Sequence, residues 1–280
     1  MTAVAQDRRA DAVRSSRMFT ALARSGFRRY STYRQATLAG AFTNTVFGFM
    51  RCYVMLAVAA GAGGLAAGYD RPQLAMFVWA GQGLLAVTML WGWTDLAERI
   101  RTGEVATDLL RPVGPVTSYL AADLGRAGHA MLTRFVPPML VGVLLFDVYV
   151  PHRWQTVPLF AASVLLAVVI CFGCRWLVNA SAYWLGDVRG PMTVWTLGSG
   201  VLSGLYFPIR FLPDWLQLVF WVGTPLPSIV QAPLDVLVER DPPAGQAGLI
   251  AGQLAWAAAI LATCHAVQRR AERRMVIQGG

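Results

Sequence analysis

The sequence predicts an all-α membrane protein with six transmembrane helices, an N-terminal interfacial helix and a short outer helix between spans five and six. Three observations predict it. Hydrophobic residues make up 56% of the 280 positions and charged residues only 14%, whereas soluble domains are about a quarter charged. Six apolar segments, near 36–60, 74–93, 132–150, 157–185, 191–209 and 247–268, are each long enough to cross a hydrocarbon core of about 30 Å. The arginines crowd onto one side of those segments. The chain accordingly divides into a basic tail with an interfacial helix (1–34), one six-span bundle (35–268) and a second basic tail (269–280).

Residues 1–34 carry eight arginines and two aspartates. The basic region is too long for a signal peptide, and the apolar run after it has no clear cleavage site. From Phe19 onward, Phe19, Leu22, Gly26, Tyr30 and Tyr33 share one helical stripe, with Arg17, Arg24 and Arg28 on the opposite side. An aromatic face opposite an arginine face suits the plane of an anionic membrane surface; residues 1–14 are expected to be disordered. A wholly disordered basic tail is the other reading.

Arginine placement sets the orientation. With both termini cytoplasmic, 18 arginines fall on the inner side and four, Arg71, Arg153, Arg210 and Arg240, on the outer side; Arg51 and Arg175 lie within spans. The first outer loop, 61–72, is short. Before the third span, Asp123, Arg126, His129 and Arg134 project to one side of a helix, and Pro137-Pro138 are expected to kink the span or start it. Arg175 is expected to pair with Asp187, and Trp176 and Trp184 to anchor at the interface. The outer connection 208–246 holds seven prolines and the apolar segment Trp215–Val222, which is too short to cross.

Composition excludes some chemistry. Every one of the 24 basic residues is arginine, which with abundant Ala, Gly and Val suggests a GC-rich coding genome. A Walker A loop needs its lysine on the nucleotide phosphates, and Schiff-base chemistry also needs lysine. Any ATPase would be another chain, and no cofactor is expected on this one. Cys171 and Cys174 have metal-site spacing but no second pair, and read as small core residues on one helix face. No metal-ligand cluster is expected.

The densest mixed charge lies between spans two and three, in the loop 95–111. Leu96 and Ile100, then Val105 and Leu109, form apolar ridges on two short helices divided at Gly103. Asp95, Glu98, Arg99, Arg101, Glu104 and Asp108 surround the ridges with charge. Such a helix can seat in a groove on a partner; a solvated linker is the alternative. If it docks, Leu96, Ile100 and Val105 are the expected anchors, with Glu98 and Arg101 on the rim.

The run Glu98-Arg-Ile-Arg-Thr-Gly-Glu-Val-Ala-Thr-Asp-Leu-Leu-Arg-Pro112 resembles the cytosolic segment of permease subunits of type-2 ABC exporters, closest to a bacterial subgroup in which an Arg-x-Gly is followed by Leu-Leu-Arg-Pro. Independently, Ser203-Gly-Leu-Tyr-Phe-Pro208, Leu212-Pro-Asp-Trp-Leu216 and Pro225 resemble that branch's pattern after its fifth span. The resemblance implies a subunit of an ATP-driven exporter in the bacterial cytoplasmic membrane, without its own ATPase site. ATP and Mg would sit on two partner ATPase subunits, and a second permease, identical or homologous, would complete the dimer. It further implies that 95–111 is the coupling segment, including Asp108, that Arg17–Tyr33 is the connecting helix, that 208–246 is the outer gate region, and that spans one, two and five line the pathway.

Several residues fit that picture. Asn44 and Arg51 make the first span partly polar. Arg51 either faces a pathway or snorkels to the outer headgroups. Phe207, Phe211 and Trp215 either close an apolar plug beyond the small residues Gly200, Ser203 and Gly204 or form an aromatic belt. An ion-coupled carrier would need carboxylates near the midplane, and the acids here cluster in loops. A membrane-embedded enzyme could gather a metal on Asp95, Glu98, Glu104 and Asp108, but Arg99 and Arg101 compete for them.

Overall fold

Asp70 opens the helix at the centre of the fold. Its side chain accepts from the Gln73 amide at 2.8 Å while Gln73 accepts from the Asp70 amide at 3.0 Å, a reciprocal capping box. The computed structural model describes residues 2–31 and 34–273. In chain order the helices are α1 (Thr2–Ser31), α2 (Arg34–Gly61), α3 (Arg71–Thr88), α4 (Asp95–Thr102), α5 (Val105–Leu109), α6 (Pro115–Ala130), a π turn (Met131–Phe135), α7 (Val136–Leu145), α8 (Thr156–Ala180), α9 (Ala182–Leu185), α10 (Arg189–Leu202), α11 (Asp214–Gly223), α12 (Gln231–Leu237) and α13 (Pro243–Glu272). Short 3-10 turns flank α11. The described residues form no strand, only an isolated bridge between Ala66 and Tyr69.

Among the described residues, four stretches are long and apolar enough to cross a membrane: Leu38–Gly61, Pro115–Leu145, Thr156–Leu185 and Pro243–Glu272. Helices α3 and α10, at 18 and 14 residues, are shorter than the expected second and fifth spans. The left-handed Met89 (φ 52°) ends α3, and the chain turns at Gly204 (φ 82°) just beyond α10.

Helix α3 is buried all round from Leu74 to Leu84. Apolar residues on every face, rather than on one stripe, are what a fully enclosed helix requires. Trp79 is wholly buried and stands edge-on to Phe49 of α2, with Phe146 tilted beside it at 5.6 Å.

The stretch that covers the expected third span begins at Pro115, not near 132, and runs unbroken to Leu145. Pro137 and Pro138 neither start nor break it. The π turn just before them supplies a wider i→i+5 bond, from the Val136 amide to Met131, so the helix passes two residues that cannot donate.

Helix α1 begins at Thr2, so residues 2–14 are helical rather than disordered; Ala- and Arg-rich sequence favours this. Its expected stripe is real. Phe19, Leu22, Gly26 and Tyr30 turn inward while Arg17, Arg24 and Arg28 are exposed; Tyr33 lies outside the described residues. The stripe packs on α6. A Cβ at Gly26 would stand 2.1 Å from the Ala122 carbonyl oxygen, and one at Gly125 would stand 1.8 Å from that of Ala23. Only glycine permits this backbone-to-backbone crossing.

Candidate functional site

The α4–α5 elbow is built by three contacts, none local enough to read from spacing. Thr94 makes no side-chain cap on α4. Instead Asn179 of α8, fully buried, accepts from the Ala97 amide at 3.1 Å and donates to the Trp93 carbonyl at 2.9 Å. A side chain from another helix thus satisfies one of the orphan donors of α4. Arg99 then ties α4 to α5. It donates to both oxygens of Asp108, at 2.9 and 3.1 Å, a bidentate pair. Asp108 also accepts from Tyr119 of α6 at 2.8 Å and pairs with Arg111 at 3.3 Å. Finally, Arg29 of α1 donates to Asp95 at 3.3 Å. Burial pulls the Arg99 guanidinium down, but Asp108, Tyr119 and Glu104 together hold it above the usual arginine value.

The expected docking residues divide into two sets. Leu96 and Val105 are buried, and Ile100 is half-buried; all three pack with Trp93, Val116, Phe172 and Trp176 in the chain's own second core. Asp108 is 2% exposed and serves as the clamp. Glu98, Arg101 and Leu109 are exposed. Glu98 accepts from Arg101 at 2.6 Å, and that hydrogen bond holds its carboxyl below the usual range. Leu110, not singled out by the pattern, is 85% exposed. The helical ridge of Leu96, Ile100 and Val105 therefore faces the bundle, and the free face is the charged rim with Leu109 and Leu110.

Beneath the elbow lies a buried ionic triad. Asp123 accepts from Arg126 at 2.7 Å and from Arg175 at 2.8 Å, with Arg175 1% exposed. Arg175 also lies over the Trp93 ring at 5.4 Å. The expected Arg175–Asp187 pair does not form; Asp187 instead pairs with exposed Arg189 at 3.2 Å. Arg175 points toward α6 because Asp123 offers a desolvated partner there. Trp176 is wholly buried rather than interfacial, whereas Trp184 is 41% exposed.

The expected pathway residues are dispersed. Asn44 donates to the Gln82 carbonyl of α3 at 3.4 Å. Arg51, half-buried, reaches the Leu205 carbonyl just beyond α10. Phe207 and Phe211 pack on the main core, while Trp215 is 68% exposed on α11. Helix α3 exposes nothing between Leu74 and Leu84.

The opposite end of the bundle is closed by buried acids. Asp235, fully buried, accepts from the Tyr69 hydroxyl at 2.5 Å, from Gln231 at 2.8 Å and from Arg210 at 3.4 Å. Burial pushes its carboxyl up to about 6, against the pull of Arg210. Gln231 also accepts from the Ile209 amide at 2.8 Å, so it joins this cluster to the Phe207-Pro208 turn. Glu239 accepts from Tyr149 at 2.8 Å, Thr156 at 2.5 Å and the Arg153 amide at 2.8 Å. Burial raises Glu239, but these bonds outweigh it and hold the carboxyl below its usual range.

The described residues thus form an all-helical bundle, with helices long and apolar enough to cross a membrane and a braced, charged elbow. Residues 42–279 match the family described as ABC-2 family transporter protein. The chain belongs to that family, whose members are membrane permease subunits that associate with an ABC ATPase. No curated protein and no solved structure matches it.

Proposed function

We propose that this chain is the transmembrane subunit of an ATP-driven exporter and that the α4–α5 elbow docks an ATPase subunit. In this reading the chain crosses the bacterial cytoplasmic membrane six times, with α3 and α10 as the short second and fifth crossings and both termini cytoplasmic. Two ATPase subunits carry ATP and Mg. A second permease, identical or homologous, packs against the exposed apolar faces of α2 (Phe42, Val46, Met50, Tyr53) and α10 (Val194, Leu197, Val201).

The observation that carries this reading is the wiring of the elbow. Its charged rim is exposed and joined to α1 by the open Arg29–Asp95 pair, while its underside is tied to α8 through Asn179 and to α6 through Asp108 and Tyr119. A push on the rim is delivered to three helices at once. Arg51 and the Phe207-Pro208 turn stand at the far end of that path as pathway and gate elements.

Co-purification with the ATPase tests it. Leu110→Asp leaves the clamp untouched, and truncating an interface anchor costs more than about 1 kcal/mol. The variant should fold, lose ATPase association and abolish export. Wild-type association and export in Leu110→Asp together with Arg101→Glu would remove the elbow from the mechanism. The isolated chain should bind no nucleotide.

A further inference from the structure

We infer that the crevice between α1, the end of α3 and the π turn holds the headgroup of one anionic phospholipid from the cytoplasmic leaflet. The inference rests on the orientation proposed above, but not on ATP coupling or export.

The crevice has a volume of about 240 Å³. That is below the roughly 300–1,000 Å³ of sites that enclose whole small molecules, and it suits a headgroup whose tails lie outside. Its polar lining is Tyr30, Arg126, His129 and Arg134, with Leu85 and Met89 on the apolar side. No carboxylate lines it. A larger neighbouring cavity of about 680 Å³ shares Tyr30 and Arg126, but Asp95, Glu98, Asp108 and Asp123 also line it. Only the smaller one is purely cationic.

Two further features point to an anion. Arg126 is 5% exposed and immobilised, donating to Asp123, to the Ala86 carbonyl at 2.9 Å and to the Val87 carbonyl at 2.8 Å. Its charge is not fully offset, because Asp123 is shared with Arg175. Two guanidinium groups against one carboxylate leave one net positive charge in the triad, in a setting where screening is weak. Arg134 projects from the π turn, a distortion that recurs at functional sites. Its guanidinium lies against α2, where a Cβ at Gly40 would stand 1.9 Å from Nη1. Glycine there leaves room for a cation at the depth of the α3 end.

The surroundings favour a lipid over a water-borne anion. Leu38 is 71% and Leu132 61% exposed, so the two helical segments that carry Gly40 and Arg134 also present apolar surface to acyl chains. His129 meets Phe27 of α1 edge-on at 5.3 Å. A lipid bound there would pin α1 to the bundle.

The test uses the purified full chain without any ATPase, so failure of the docking proposal leaves the readout unchanged. Native mass spectrometry and thermal melting are recorded with phosphatidylglycerol, phosphatidylcholine or soluble glycerol phosphate. Phosphatidylglycerol should be retained and should raise the melting temperature, and the other two should not. Arg134→Gln should lower retained phosphatidylglycerol about tenfold, as loss of one charge-assisted hydrogen bond implies, while Arg134→Lys keeps most of it. Equal retention of phosphatidylcholine by the wild-type chain would overturn the inference whether or not the variants fold. Wild-type retention in Arg134→Gln would also overturn it. Equal protection by glycerol phosphate would make the site one for soluble phosphate and end the lipid assignment.

Discussion

At the elbow, Glu98 and Arg101 pair in the open, with side chains 57% and 64% exposed, and so do Asp95 and Arg29. At the other end of the bundle, Asp235 is sealed beneath the loops with Tyr69, Gln231 and Arg210, and Glu239 is 7% exposed. Exposed pairs are worth about 0–1 kcal/mol each and exchange partners readily. Buried, multiply bonded acids resist rearrangement, because breaking one strands several groups. The contrast teaches where each end puts its specificity. One end leaves its charge pairs in solvent over a firmly anchored base, which suits the docking surface proposed for it. The other uses its charges to hold loops shut.

The largest effect should come from the base that supports the elbow. Asp123→Asn strands Arg126 and Arg175, and removing one member of a buried ionic group costs about 3–5 kcal/mol. The variant should express poorly or melt far below wild type. Unchanged melting would mean that the triad does not support the elbow.

The closed end should show a pH signature. Asp235 is raised from an ordinary 3.8 to about 6 by burial. A carboxyl raised in the folded state contributes its full stabilisation below its ordinary value, and that contribution fades as pH rises through about 6. The wild-type chain should therefore gain several degrees in melting temperature relative to Asp235→Asn on going from pH 8 to pH 5. Asparagine keeps the carbonyl that accepts from Tyr69. An identical pH dependence in the two proteins would remove Asp235 as the titrating latch.

The smallest effects on stability should lie on the elbow's rim. Glu98→Ala should change melting by less than about 1 kcal/mol equivalent, yet weaken ATPase association measurably. Asp108→Asn sits between these extremes. It loosens the Arg99 clamp and should leave the ATPase bound while hydrolysis proceeds with less export.

Part of this was legible in the sequence, for physical reasons. Long apolar runs announce spans, but the capping box of Asp70 and Gln73 that starts α3 was not read from the sequence. The stripe on α1 was legible because periodicity fixes which residues share a face. Periodicity does not say what that face meets. Leu96, Ile100 and Val105 read as the anchors of a docking surface, and the structure packs them with Trp93, Val116, Phe172 and Trp176. Pairings across large sequence separations were hidden altogether. Asp123 meets Arg175 from 52 positions away, and Tyr69 meets Asp235 from 166. Asp187 looked like the partner of Arg175 only because it was near in sequence. Asn179 and Gln231, each joining three segments, carried no local signal beyond being polar residues among apolar ones.

The most direct test of docking at the elbow is site-specific crosslinking to the ATPase subunit. The four native cysteines, all buried, are replaced, and single cysteines are placed at Thr102 on the elbow and at Leu65, 61% exposed at the closed end. The account predicts a short-spacer crosslink from position 102 to the ATPase and none from position 65. No crosslink from 102 in an assembled, active complex, or a crosslink from 65, would contradict it.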